Sequence, residues 1–463
     1  MLNGTCYYYS IDDGEESSEN IDICKIKNRT IQIIGLTTAF KTEHDVISGR
    51  SRIYLEEAVI EDDKIIVNSD RMPVVIKTYS SQSESLPFTG TRSVLAIKID
   101  ALDTETTSSA DRISNKLFGT GNDEVNFKSQ MLDCSLNKLI FEPFIGTTPE
   151  GIVISNGVGS LTAPFELRNS YDLNVESTLL DLIKEKFGDL KGQIDHLILV
   201  LPKDSANFIA YGYSFDWLTV YSDEQVTYPV VVMHEVGHNL GLEHSAKGEN
   251  EYGDEVGIMG YGNALDNGRK CFNAVKSWQL GWYDEGHKEI DPLKETFKGD
   301  IVGIANFNER GDKNVLLKIT GHDDGNDYYV AFNRRDGMNK DSTVGADKIV
   351  VTANSSTDET NVFSYQRGIL SENEIYNIPK FGGGDLTLCI LVNKITTSTN
   401  PASANVSIML KEHEAIDELT KGKKNGKNRK SKNKQKNKNN KKNKGNNKKK
   451  KNRKKNRRNK KNK

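Results

Sequence analysis

Short apolar runs at residues 30–34, 53–55, 64–67 and 74–76 alternate with charged turns, a rhythm that predicts a small β-rich module over residues 1–90. The pattern then lengthens. A strand is expected at 93–100, a helix at 110–118, and further strands at 138–144, 151–155 and 196–201. Between them Leu179, Leu180, Ile183 and Phe187 recur at helical spacing behind Ser177, so residues 177–187 should form an amphipathic helix capped by that serine. Strands alternating with helices predict a mixed α/β unit over residues 91–291. Downstream, a helix is expected at 274–280, with Trp278 and Trp282 as core anchors. Alternating runs at 315–320, 328–332, 348–352, 386–392 and 406–410 then predict a β-sandwich over residues 292–412. His196 opens a strand and reads as structural. The acidic turn at 322–327 lacks the full calcium-loop pattern and reads as a hairpin, so calcium is possible but not indicated.

One segment is apolar almost all round. Pro229 suits the first turn of a helix, and Val230, Val231, Val232, Met233, Val236 and Leu240 leave it only a narrow polar stripe, as in an element buried across the back of a cleft. That stripe carries the chemistry. Within the string HEVGHNLGLEH, His234 and His238 stand four apart, one above the other on a helix, so both imidazoles can face a single ion with Glu235 beside it. A hydrolytic zinc site takes three protein ligands and leaves a fourth position to water. His244 is the expected third ligand. A continuing helix would carry it about 9 Å along the axis, but Gly241 tolerates the left-handed backbone that ends a helix and folds the chain back. Zinc lowers the pKa of its water toward about 7, and an adjacent carboxylate can move the proton to a leaving amine, which makes Glu235 the candidate general base.

Together with this long motif, the segment Gly257, Ile258, Met259, Gly260, Tyr261 resembles the methionine turn beneath the metal in metzincin peptidases. The resemblance implies a structural role for Met259 and a transition-state role for Tyr261, and it makes Ser245, directly after His244, a holder of nearby backbone. Further stretches, SQMLDCSLNKLIFEP around Cys134, EYGDEVGIMGYG, and CFNAVKSWQLGWYDEG from Cys271 to Gly286, resemble the gametolysin family of metzincins between about Arg92 and Leu410. Some members carry glutamine at the first motif histidine; His234 here is the ordinary ligand. The resemblance implies an α/β metzincin-like zinc peptidase domain between a β-rich N-terminal module and a C-terminal β-sandwich. It also implies one catalytic Zn2+, and endopeptidase cleavage of extracellular matrix or cell-wall glycoproteins. Cys134 and Cys271 both fall in family-like segments, so a disulfide between them is expected. Two other readings stay open: a zinc-dependent amidase acting on a non-protein substrate, and a matrix-binding protein that retains zinc for structure alone. The N-terminal module could be a latency propeptide, although the cysteine context that usually blocks zinc, PRCGxPD, is absent around Cys6 and Cys24.

Composition changes the picture at the two ends. The first residues, MLNGTCYYYSIDDGEE, show neither a basic nor an apolar leader region. An extracellular or cell-wall location therefore implies that Met1 is not the authentic start. Five cysteines without a CxxC pair decide little, and sequons at Asn3, Asn28, Asn354 and Asn405 permit glycosylation of a secreted chain. No apolar stretch is long enough to span a bilayer. The net charge of −2 conceals a segregation: residues 421–463 hold 25 Lys and Arg and no acid, leaving 38 basic against 65 acidic residues before them, a net −27. Residues 413–463 contain almost nothing to bury and are expected to be disordered alone. Without aromatic residues to stack bases, specific nucleic-acid recognition is not expected, and the partner implied is an anionic polysaccharide or other polyanion. A chain lacking residues 413–463 should lose salt-sensitive retention on an anionic polysaccharide resin; equal retention with and without the tail refutes that role.

Overall fold

The computed structural model describes residues 4–11, 19–26, 29–34, 51–54, 59–61, 64–67, 74–78, 88–260, 268–321, 325–355 and 363–412. Tyr261 and the basic tail therefore lie outside the described residues. Among the early strands, β1 (Gly4–Ile11), β2 (Glu19–Ile26), β3 (Arg29–Ile34), β5 (Val59–Glu61) and β6 (Lys64–Ile66) form one sheet in the order β1-β2-β3-β6-β5. A separate pair joins β4 (Ser51–Tyr54) to β7 (Val74–Thr78).

A second sheet organises residues 90–222. Its strands are β8 (Gly90–Asp100), β9 (Leu139–Pro143), β12 (Val158–Thr162), β13 (His196–Leu201), β14 (Ala210–Gly212) and β15 (Leu218–Ser222). The order is β12-β8-β13-β15-β14, with β9 also on β8, and every pairing is parallel except that of the edge strand β14. A small hairpin, β10 (Gly146–Thr147) and β11 (Val153–Ile154), stands apart.

Strand β13 reads HLILVL, and all six residues are buried. Such an unbroken apolar run marks a strand covered on both faces. Leu197, Leu199 and Leu201 share a core with Leu179, Ile183 and Phe187 of the helix α3 (Leu173–Phe187). Ile198 and Val200, of opposite parity, pack with Val232, Met233 and Val236 of α4 (Pro229–Asn239). Burying each such side chain contributes about 1.5–3 kcal/mol, so the two helices are clamped to opposite faces of one sheet.

Helix α1 (Ala110–Phe118) and strand β13 lie where the periodicity places them. Strands β12, β14 and β15 were not expected, and two features of the helices differ. Helix α3 starts at Leu173 rather than behind Ser177, because the Asp172 carboxylate accepts from the N–H groups of both Asn174 and Val175 at 2.9 Å. A charged acceptor at the positive end of the helix is the stronger cap, and the Ser177 hydroxyl instead donates back to Leu173 O at 3.0 Å. Helix α2 (Phe127–Cys134), begun by a reciprocal Asn126–Ser129 capping box, was not anticipated, since two turns carry too short a pattern to register. Its last residue, Cys134, is bonded to Cys271 with Cα atoms 5.7 Å apart, as the family resemblance implied.

After α4 comes the short strand β16 (Ser245–Ala246), then helix α5 (Ala274–Leu280). The remaining strands make two sheets. One has the order β16-β22-β21-β20-β19-β17, from β17 (His287–Ile290), β19 (Leu316–Ile319), β20 (Asn326–Asn333), β21 (Lys348–Ser355) and β22 (Ser364–Leu370). The other is β18-β25-β24-β23, from β18 (Phe297–Val302), β23 (Ile375–Pro379), β24 (Leu386–Thr396) and β25 (Ser403–Glu412). Their inner faces share one cluster that includes Leu317, Val330, Val351, Leu388, Ile390 and Val406. Strand β16, which belongs to the loop behind α4, sits in this late sheet. Trp282 is buried and donates from Nε1 to Phe88 O at 2.6 Å, whereas Trp278 stacks on His287 with ring centres 4.1 Å apart.

His196 is buried against Phe141, with Nδ1 3.2 Å from Asn239 Oδ1, and burial pushes its pKa down to about 4. Because the folded state holds this ring neutral while the unfolded chain protonates near 6.5, its contribution is complete above that pH and is lost as pH falls toward 4, by up to about 3 kcal/mol. Denaturant titrations across pH 4–7 should therefore show a shallower loss of stability in His196→Gln than in the native chain; identical slopes would remove His196 from the pH dependence.

Candidate metal centre

Helix α4 is buried along nearly its whole length, with only Val231 partly exposed. It closes with two backbone bonds, Gly241 N to His238 O at 2.7 Å and Leu242 N to Gly237 O at 2.9 Å. This paired ending requires a left-handed residue after the cap, and Gly241 supplies it at φ +79°. A side chain there would also be impossible for space, since a Cβ would lie 2.1 Å from the Phe215 ring. The reversal returns His244 to the helix.

Among the described residues, His234, His238 and His244 bring one ligand atom each to within 4.8 Å of one another, and all three rings are buried. Each ring is oriented through Nδ1. His234 donates to Ile258 O at 2.9 Å, His238 to Leu242 O at 2.8 Å, and His244 to Glu251 Oε1 at 2.6 Å. All three partners are acceptors, so Nδ1 must carry the proton in each ring and Nε2 is left as a bare lone pair. The His238 and His244 Nε2 atoms then face each other at 3.1 Å. Two lone pairs at that distance repel unless a cation lies between them. Tetrahedral coordination at about 2.0–2.1 Å places such nitrogens about 3.3 Å apart, so the donor set fits a metal ion. Burial and the neighbouring His244 and His234 hold His238 well below its ordinary pKa, in the neutral form a ligand needs.

Glu235 lies on the same helix, 1 % exposed and outside the ligand cluster. Its charge adds to burial in raising the pKa of Tyr221. Its backbone carbonyl touches the edge strand: a Cβ at Gly212 would sit 2.4 Å from Glu235 O, so β14 rests directly on the metal helix. Asn239 locks this contact by donating from Nδ2 to Tyr213 O at 2.8 Å and Leu218 O at 3.1 Å.

Beneath the site Met259 is fully buried, and its sulfur occupies the space a side chain at Gly237 would take, 2.6 Å from the position of a Cβ. A glycine inside a helix costs roughly 0.5–1 kcal/mol relative to alanine; Gly237 was a legible signal that the sequence reading passed over. The turn also links two of the candidate ligands. Ile258 O holds His234, while the next carbonyl, Met259 O, accepts from Ser245 N at 2.7 Å, one residue after His244.

Ser245 holds nearby backbone as the resemblance implied, with its N–H on Met259 O, but other residues that position His244 carried no local signal. Glu251 is one. The others form a buried polar knot: Asp254, fully buried, accepts from Asn273 Nδ2 at 2.8 Å and Gln366 Nε2 at 3.0 Å, and Asn273 Nδ2 also reaches the Ser245 and Ser364 hydroxyls, both at 3.1 Å. Ser245 and Ser364 are joined at 2.7 Å, and Ser364 N donates to His244 O at 3.2 Å. Lys276, fully buried beside this knot, has its pKa pushed down to about 7 by burial despite the opposing charges of Glu243 and Asp254.

Residues 94–369, more than half of the chain, match the family model described as gametolysin peptidase M11. The chain belongs to the gametolysin peptidase family. The match contains α4, the methionine turn and the part of β22 that holds Ser364 and Gln366, so the late strand that braces His244 lies inside the family region. A 52-residue stretch of this gametolysin-family chain is 46% identical to autolysin of Chlamydomonas reinhardtii, covering 11% of this chain and 8% of that protein.

Replacing Glu251 by alanine frees the His244 ring to rotate and should weaken metal binding roughly 10- to 100-fold. Competition against a chromophoric chelator measures this, with circular dichroism as the control for folding; unchanged affinity would mean that His244 is oriented by other contacts.

Proposed function

We propose that this gametolysin-family peptidase is a zinc endopeptidase acting on matrix or cell-wall glycoproteins. The observation that carries the reading is the convergence of three buried imidazoles, two of them on the helix that also carries the buried Glu235. His234, His238 and His244 would hold the ion, and a set of three neutral imidazoles suits zinc. Bound there, zinc would supply Lewis-acid polarisation of the scissile carbonyl and a lowered pKa for its water.

The chain's own groups do the rest. Glu235, desolvated on α4, takes a proton from the attacking water and delivers it to the leaving amine nitrogen. Met259 and Gly237 keep the floor of the site rigid. The edge strand β14, pressed against α4 at Gly212, fixes the helix that carries Glu235 against the sheet. Tyr261 follows Met259 by two residues and is assigned to stabilising the oxyanion. The Cys134–Cys271 bond favours an oxidising, extracellular compartment. No helix among the described residues is long and apolar enough to cross a membrane. Residues 421–463 would add attachment to anionic polysaccharide by charge.

Glu235→Ala should retain zinc, measured by elemental analysis, while losing roughly 10²- to 10⁴-fold in casein hydrolysis. Chelator should abolish native hydrolysis and added zinc restore it. A variant that loses metal and activity together would assign Glu235 to the ion instead, and chelator-resistant cleavage would overturn the zinc reading.

A further inference from the structure

Strand β22 has two faces with different chemistry. Ser364 and Gln366 point into the polar knot behind His244. Phe363, Tyr365 and Arg367 point the other way: the Phe363 and Tyr365 rings lie 5.5 Å apart, and the Arg367 guanidinium sits 5.0 Å above the Tyr365 ring. Parity decides which way that is. In the parallel pairing of β16 with β22, Ser245 is level with Ser364 and Ala246 with Tyr365, and level residues share a face. His244, one residue before Ser245, therefore emerges on the face of Phe363, and the two rings are 6.3 Å apart. This is also the face on which the His244 imidazole of the candidate metal centre lies. Phe363 and Tyr365 are partly exposed and Arg367 is exposed. Among the described residues no carboxylate pairs with Arg367.

The strand is irregular at the same place. Val351 is level with Gly368 and Thr352 with Gln366, so Arg367 has no partner on β21. An extra residue of this kind re-aims a side chain, and here it accompanies an arginine laid over the aromatic row. An extended substrate has the same two-residue repeat as a strand. At about 3.3 Å per residue, Arg367 lies about 13 Å along β22 from Phe363, the reach of about four substrate residues.

We propose, resting on the peptidase reading, that Phe363, Tyr365 and Arg367 form a specificity strip beside the metal centre that selects peptide substrates with an acidic residue about four positions from the cleaved bond. Phe363 and Tyr365 receive the apolar parts of the intervening side chains, and Arg367 receives the carboxylate. Screening limits the attraction to within about 8 Å at physiological salt, so the preference is local even though the first 420 residues carry a net −27.

The test uses the full chain as wild type, Arg367→Gln and Arg367→Glu, with fluorogenic peptides in which Glu, Ala or Lys is scanned along an otherwise constant sequence. In the wild type, Glu about four residues from the scissile bond should raise kcat/KM over Ala roughly three- to fivefold, through KM. Arg367→Gln should bring the Glu-to-Ala ratio to one, and Arg367→Glu should turn it in favour of Lys. The same peptides are also titrated by fluorescence anisotropy against Glu235→Ala protein with and without the Arg367 changes, where the same order of affinities is expected. An acid preference that survives Arg367→Glu, or no preference in the wild type in either assay, overturns the strip. Absence of cleavage of every peptide by the wild type overturns the peptidase reading instead, and the anisotropy series still decides the strip.

Discussion

Three Nδ1 protons govern the centre. Each is committed to an acceptor on a different stretch of chain: Ile258 O on the methionine turn, Leu242 O in the helix reversal, and Glu251 in the following loop. Because an imidazole has only two nitrogens, committing one proton outward turns the other lone pair inward. The ligand set is thus made by hydrogen bonds directed away from it, and each depends on a carbonyl or carboxylate being held in place by the surrounding fold.

That dependence explains why so much buried polarity lies behind His244. A loop carrying a ligand has no helix to stiffen it, and buried amides and carboxylates are costly unless they are paired. Asp254, Asn273, Ser245, Ser364 and Gln366 satisfy one another, and in doing so tie the loop, helix α5 and strand β22 together. The late sheet is consequently part of the metal centre, since its backbone donates directly to His244 O. Disturbing β22 disturbs His244, the third candidate ligand.

Elsewhere along α4 the constraint is contact distance. Gly212 lets the edge strand lie against the Glu235 carbonyl, and Gly237 lets the Met259 sulfur lie against the helix. At Gly212 even one methyl group would hold the two backbones apart, and at Gly237 it would displace the Met259 sulfur. Asn239, one residue beyond the second ligand, fastens the strand segment to the helix through Tyr213 O and Leu218 O. Edge strand, helix α4 and the Met259 segment are thereby packed directly on one another.

Much of this was legible in the sequence. The four-residue spacing of His234 and His238, the helix-ending Gly241, the unbroken apolar run of β13 and the family-like cysteines are local patterns, and local patterns state which backbone forms and which side chains share its face. What they leave open is which distant segment covers that face. Asp172 rather than Ser177 caps α3 because a competition between two acceptors depends on geometry. Ser364 reaches Ser245 across 119 residues of chain, and Gln366 reaches Asp254 across 112. Nothing in either neighbourhood encodes the other, because strand pairing brings them together and pairing is chosen by the burial of both sheets at once. The sequence by itself determined the three candidate ligands and the glutamate on their helix; only the tertiary structure decided what orients the rings, since hydrogen-bond partners are selected by proximity in space and not along the chain.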